Sequence, residues 1–178
     1  DSIQNGIGLI TEDRHKTGLA LNLSVIKNTT IAGLDQYPGE ILKLKQEKSD
    51  VERLIQELDI RTPSPHQEVR FLSGGNQQKV VLSRWLFKNV DILIFDEPTI
   101  GIDVNSKNEI YKLITELAKE GKSIIMVSSE LPELIALSDR VLVVKNGRII
   151  TELNDQEITE ENIISYAFGV TDDGQSKE

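Results

Sequence analysis

Two segments hold the residues of this chain best suited to chemistry: Leu72-Ser73-Gly74-Gly75-Asn76-Gln77-Gln78-Lys79, and the apolar run Ile92-Leu93-Ile94-Phe95 that ends in Asp96-Glu97-Pro98-Thr99. Ser73, Gly74 and Gly75 precede helix formers, so unpaired N–H groups stand at the positive end of a helix dipole. Glycine there lets an anion approach the backbone without a Cβ in the way. Ser-Gly-Gly alone is more often an ordinary capped loop; the extension through Asn76, Gln77, Gln78 and Lys79 turns the reading toward a phosphate site. Asp96, ending a buried strand, is suited to hold Mg2+ through its water shell. Its neighbour Glu97 is suited to polarise an attacking water, the division of labour that nucleotide hydrolysis needs. Adjacent carboxylates also occur in plain surface turns, but four apolar β-formers before them and Pro98 after them favour the chemical reading.

The elements that must position these groups follow from apolar spacing. A helix from Gln77 to Phe87 buries Val80, Val81, Leu82, Trp85 and Leu86, and carries the glycines at its start. Ile92 to Phe95 and Ser123 to Ser128 read as strands, with an amphipathic helix from Asn105 to Lys119 between them, an alternation that implies parallel βαβ units. Gly8 to Thr11 forms a short strand leading into the charged turn Glu12-Asp13-Arg14, and Ser24 caps a helix through Leu34. From Glu40 to Leu58 a helix places Leu44, Val51, Leu54, Ile55 and Leu58 on one face, with Lys43, Lys45, Glu47, Lys48 and Glu52 largely elsewhere. Thr62-Pro63-Ser64-Pro65 is expected to stop it. Asn146-Gly147 between Val141–Val144 and Arg148–Ile150 signals a hairpin with a type I′ turn. A final helix covers Glu160 to Phe168, and residues 170–178 read as a disordered tail.

Composition excludes several classes. At 178 residues, 38% hydrophobic and 28% charged, the chain suits one globular unit. No stretch approaches the roughly 20 apolar residues that cross a bilayer, and the first residues lack a secretory pattern. The chain has no cysteine, which fits a reducing cytosol. The net charge of −9 and the lack of a basic stripe interleaved with aromatics argue against nucleic acid. His15 and His66 have no spaced metal partner, and Trp85 reads as core. Gly121-Lys122-Ser123 is a false phosphate loop, because the order there is helix then strand.

In this order and separation the two segments resemble the signature and the Mg2+-binding (Walker B) strand of ATP-binding-cassette (ABC) ATPases. Gly101-Ile102-Asp103 matches that family's D-loop, for which the plain alternative is a helix-entry turn. Leu9 to Arg14, Leu72 to Lys79, Asp96 to Val104 and Val127 to Glu133 together look like the second nucleotide-binding half of the tandem ATPases of ribose- and galactose-type importers. The resemblance implies an α/β fold of the P-loop NTPase type, with a helical subdomain at residues 19–72 inside a partial nucleotide-binding domain over 1–178. No strand followed by G-x-x-x-x-G-K-[ST] occurs, so the chain is expected to start after its own phosphate loop.

What the family implies for site residues is a composite site. Ser73, Gly74, Gly75, Asn76 and Gln77 would close over ATP held by an upstream domain or a second ATPase subunit, with Asp103 crossing that interface. Asp96 would serve Mg2+, and Glu97 and Ser129 would be catalytic positions. Glu12 would stand by the terminal phosphate. The implied partners are a transmembrane sugar permease and, through it, an extracytoplasmic sugar-binding protein, with the ATPase peripheral at the inner face of the cell membrane. Two positions depart from the pattern: Ser129 stands where competent domains carry histidine, and Glu12 where they usually carry glutamine. A serine lacks the reach of imidazole, and a carboxylate near a terminal phosphate is repulsive. Loss of one such donor costs on the order of 10²–10³ in rate. The isolated chain is expected to be inactive because the phosphate loop is absent, and an interaction module that only docks with another ATPase half is the alternative. A soluble ABC ATPase of DNA repair or translation fits less well, without a coiled-coil insertion or basic face.

Overall fold

The computed structural model describes residues 2–36 and 43–169, which fall into two units, residues 1–127 and 128–178. In the first, strands β1 (Ile7–Ile10), β2 (Ile92–Asp96) and β3 (Ser123–Val127) form a parallel sheet in that order. The register aligns Leu9, Ile94 and Ile125 on one face and Gly8, Leu93 and Ile124 on the other. Ile10, Leu93 and Phe95 are buried on the second face, at 0%, 0% and 1% exposure. The first face is apolar yet open: Leu9, Ile125 and Val127 are 44%, 51% and 53% exposed. Strand β2 is central and pairs on both sides; β1 and β3 are the edges among the described residues.

Helix α3 (Gly74–Lys88) packs on β1, where the Trp85 indole N–H donates to the Leu9 carbonyl at 2.9 Å, so Trp85 is core as expected. It ends at Asn89, φ 57°, with Val90 N–H reaching Trp85 O at 3.3 Å and Asn89 N–H reaching Leu86 O at 3.0 Å, the paired bonds of a Schellman stop. Helix α4 (Val104–Lys119) precedes β3 through Gly121, so the helix-then-strand order at Gly121-Lys122-Ser123 holds.

The helical segment departs from expectation in four ways. Helix α1 (Val25–Thr30) is capped by Ser24 as predicted but stops at Thr30 rather than Leu34. Inside it Asn28, 1% exposed, accepts from Ala20 N–H and donates to the carbonyls of Ala20, Leu23 and Ser24, clamping the entering loop. Helix α2 (Lys43–Glu57) ends through its own Schellman stop at Asp59, φ 47°, before the prolines; residues 40–42 lie outside the described residues. Third, Leu44 is 65% exposed. Fourth, Glu47 is buried with Val51, Leu54 and Leu58, because it continues their i, i+4 row and is satisfied by Thr30 Oγ1 at 2.7 Å and Lys27 Nζ at 3.4 Å.

In the second unit, β4 (Arg140–Lys145) and β5 (Arg148–Asn154) form the expected hairpin, with Asn146 and Gly147 at φ 50° and 73°. Val141, Val143 and Leu153 pack with Ile158 and Ile163, the latter on helix α6 (Glu160–Phe168), at the predicted bounds. Before β4 the chain forms a short helix α5 (Leu131–Leu137) that the apolar spacing did not signal. The expected tail at 170–178 lies outside the described residues.

Candidate functional site

Ser73 occupies the N-cap of α3, but its hydroxyl makes no capping bond; Asn76 Nδ2 donates to it at 2.8 Å while Asn76 Oδ1 accepts Arg61 N–H at 2.7 Å. The first intrahelical bond runs from Gln77 N–H to Ser73 O at 2.9 Å. The N–H groups of Gly74, Gly75 and Asn76 therefore meet no acceptor among the described residues. Ser73 is exposed, Gly74 and Asn76 are half-buried and Gly75 is buried; a helix start with free N–H groups attracts an anion. Glycine has a second cause at this tip. A Cβ on Gly75 would lie 2.6 Å from Ser106 Cβ, and one on Gly74 would lie 2.9 Å from an Arg14 guanidinium nitrogen.

Gln77 turns inward. It is 6% exposed, donates to Val69 O at 3.1 Å, and its Oε1 faces Arg14 Nε at 3.4 Å and His15 Nε2 at 2.9 Å. Arg14 also donates to Ile100 O at 2.9 Å and Gly101 O at 3.3 Å. One guanidinium thus ties the turn after β1 to α3 and to the loop entering α4. Partial burial lowers the Arg14 pKa, against the opposing pull of the Asp13 carboxylate. Asp13 itself is held below the usual carboxylate range, chiefly by its bond to Lys16. Glu12 is exposed. It lines, with Asp13, Arg14, His15, Ile100 and Gly101, a cavity of about 290 Å3.

Asp96 closes β2, half-buried, with no hydrogen bond or ion pair to its carboxylate among the described residues. Glu97 follows at φ 48°, its N–H bonded to Val127 O at 2.9 Å. Asp103 caps α4: Oδ1 accepts Ser106 N–H at 3.1 Å and Oδ2 accepts Ser106 Oγ at 2.7 Å. Those bonds, the side-chain one foremost, lower its pKa. Ser129 belongs to the second unit. Beside it Ser128 Oγ donates to the buried Glu133 carboxylate and accepts Glu130 N–H at 3.0 Å.

The structure brings the α3 tip, the Glu12–His15 turn and the Ile100–Asp103 loop together. Arg14 and Lys79 are named in the sequence only as members of a turn and a motif, with no role of their own. Lys79, 2% exposed, donates to Glu109 at 2.8 Å and to Asp59 O at 2.9 Å, so it fastens α3 to α4 and to the end of α2. A positive residue in an apolar helix row was the available signal for Lys79; nothing local marked Arg14. No group of three or more His, Cys, Asp or Glu among the described residues could hold a metal.

A family model described as ABC transporter matches residues 1–100. The galactose/methyl galactoside import ATP-binding protein MglA of Clostridium tetani is 49% identical over 94% of this chain and 34% of its own length. The ribose import ATP-binding protein RbsA of Clostridium perfringens is 47% identical over 96% of this chain and 34% of its own length. The chain thus spans about a third of the length of the curated relatives it matches. Among solved structures, cbiO1 of Clostridium perfringens, described as part of the ABC transporter complex cbiONQ, superposes with a TM-score of 0.73 at 25% identity, covering 90% of this chain and 62% of that one. The ATP-binding cassette MJ0796 bound to ADP and Pi gives 0.71 at 20% identity, covering 85% and 63%. The second likeness concerns the fold alone.

Proposed function

This chain belongs to the ABC transporter family of ATP-binding proteins, and from that membership we propose that it presents the Ser73–Gln77 helix tip to ATP whose phosphates another nucleotide-binding domain or ATPase subunit holds, in a machine that imports monosaccharides. One observation carries the reading: three consecutive N–H groups, of Gly74, Gly75 and Asn76, stand without acceptors among the described residues at a helix start whose N-cap Ser73 is exposed. The ribose and galactose/methyl galactoside import functions in the relatives' names support the substrate class.

The donor set fits the implied ligands. Asp96 offers an uncommitted carboxylate at a strand end, which suits Mg2+, an ion that keeps several waters and takes one or two carboxylates plus phosphates rather than an all-protein cage. Bound Mg2+–ATP would supply the phosphoryl chemistry. Glu97 would orient a water, Glu12 would face the terminal phosphate, and Ser129 would occupy the switch position; the last two weaken turnover at this chain's own site. Gln77 would act through Arg14 and His15, since its amide is already engaged. Asp103 would hold the loop that crosses to the other domain.

An exposed apolar face on a parallel sheet, which is normally covered on both sides, supports completion by a further α/β segment carrying the phosphate loop. Residues 19–72 would form the helical subdomain that meets a membrane permease, with Leu23, Ile31 and Leu34 offering exposed apolar surface. The permease, fed by an extracytoplasmic sugar-binding protein, would hold the ATPase at the inner face of the membrane. Among the described residues no helix is long and apolar enough to cross a membrane itself.

The test is sugar uptake by proteoliposomes containing the full-length ATPase with its permease. Ser73→Glu should fold normally, because an acidic N-cap suits the helix dipole, yet repel a phosphate and cut uptake and ATP turnover about a hundredfold. Wild-type uptake by that variant would contradict the proposal. The isolated chain should not hydrolyse ATP.

A further inference from the structure

We propose that Arg14 is a positioning residue for the same composite site: it sets where the Ser73–Gly75 tip stands relative to the Ile100–Asp103 loop, an inference that rests on the reading above. Each arm of the guanidinium has an acceptor in a different segment. Nη1 donates to Ile100 O at 2.9 Å, Nη2 to Gly101 O at 3.3 Å, and Nε faces Gln77 Oε1 at 3.4 Å. The planar fork spans these acceptors at once; an ammonium on a flexible stem cannot. Gly74 is part of the same device, because a Cβ there would stand 2.9 Å from Nη2 and 3.2 Å from Gly101 O. The helix start is therefore shaped to let the guanidinium lie across it.

The pairing is chosen for geometry rather than for charge neutralisation. No carboxylate lies within ion-pair distance of Arg14 among the described residues, and all its acceptors are neutral oxygens. Arg14 also begins the turn Arg14–Gly18, whose N-cap Asp13 accepts from the N–H groups of His15 and Lys16. Displacement of that turn would be passed to the helix tip and to the loop together. Two segments that must reach one ligand are thus moved by one side chain.

The experiment compares Arg14→Lys and Arg14→Gln in the full-length ATPase assembled with its permease, reading kcat and KM for ATP, the thermal midpoint, and Ser73→Glu alongside as the control on the site itself. The account expects both Arg14 variants to lower kcat about ten- to a hundredfold with KM changed less than about twofold, since ATP would be held chiefly by the other segment. Full rescue by Lys would show that charge alone matters and would overturn the inference. So would unchanged kcat in both variants, or a kcat loss matched by an equal loss of folded protein. If Arg14→Gln fails to fold, Arg14→Lys decides by the same criteria. Loss of activity in Ser73→Glu beside active Arg14 variants would sink this inference alone; full activity in all three would sink the reading of the site as well.

Discussion

Gly75 and Ser106 approach so closely that a Cβ on Gly75 would lie 2.6 Å from Ser106 Cβ and 2.7 Å from its Oγ. The glycine is thus required by the chain's own packing as well as by any phosphate. Gly75→Ala should cost about 1–3 kcal/mol from overpacking, and Ser106→Gly in the same chain should recover part of that. Urea midpoints at constant m would report it. An Ala variant as stable as the parent would show that α4 gives way freely.

Lys79 and Glu109 form the buried-to-surface ion pair between α3 and α4, with the Lys79 side chain 3% and the Glu109 side chain 34% exposed. Glu109→Gln leaves the buried ammonium with the Asp59 carbonyl and, at 4.0 Å, the exposed Asp59 carboxylate, and should cost about 2 kcal/mol, below the range for fully buried pairs because Glu109 is partly solvated. Adding Lys79→Met should restore stability. A double variant less stable than Glu109→Gln would mean the ammonium contributes independently of its carboxylate.

Acid should probe the same contact. Lys79, foremost through its hydrogen bond, lowers the Glu109 pKa. A carboxylate depressed in the folded state adds stability that is complete above its unfolded value of about 4.3 and is lost as pH falls through the lower folded value. Between about pH 5 and pH 3 the parent should therefore lose more stability than Glu109→Gln. Parallel curves would remove the ion pair from the account.

Glu97 sits at φ 48° immediately before Pro98, a left-handed conformation unfavourable for a residue with a side chain. Glu97→Gly should raise stability by about 0.5–1 kcal/mol while lowering ATP turnover wherever this chain's own site is active. Chemical denaturation gives the first quantity. A less stable glycine variant would show that the Glu97 side chain is held by contacts stronger than the strain.

Much of this architecture was legible because local signals were strong. The hairpin followed from Asn146-Gly147, and the parallel strands from the apolar runs at Ile92 to Phe95 and Ser123 to Ser128. Helix ends were harder. The stop at Asp59 uses a non-glycine residue at positive φ, which competes poorly in a sequence reading against the nearby Pro63 and Pro65. The burial of Glu47 depends on a Thr30 hydroxyl in another helix, and Arg14 looked like part of a charged turn. Its acceptors are 63, 86 and 87 residues away, and only the folded chain brings them together.

The central claim is that the α3 tip donates to a nucleotide held by another segment, and the structure of the full-length ATPase assembled with its permease and a non-hydrolysable ATP analogue tests it most directly. The account predicts the Gly75 and Asn76 amides and Ser73 Oγ within about 3.5 Å of a phosphate oxygen. A bound triphosphate with the tip turned to solvent, far from it, would contradict the account.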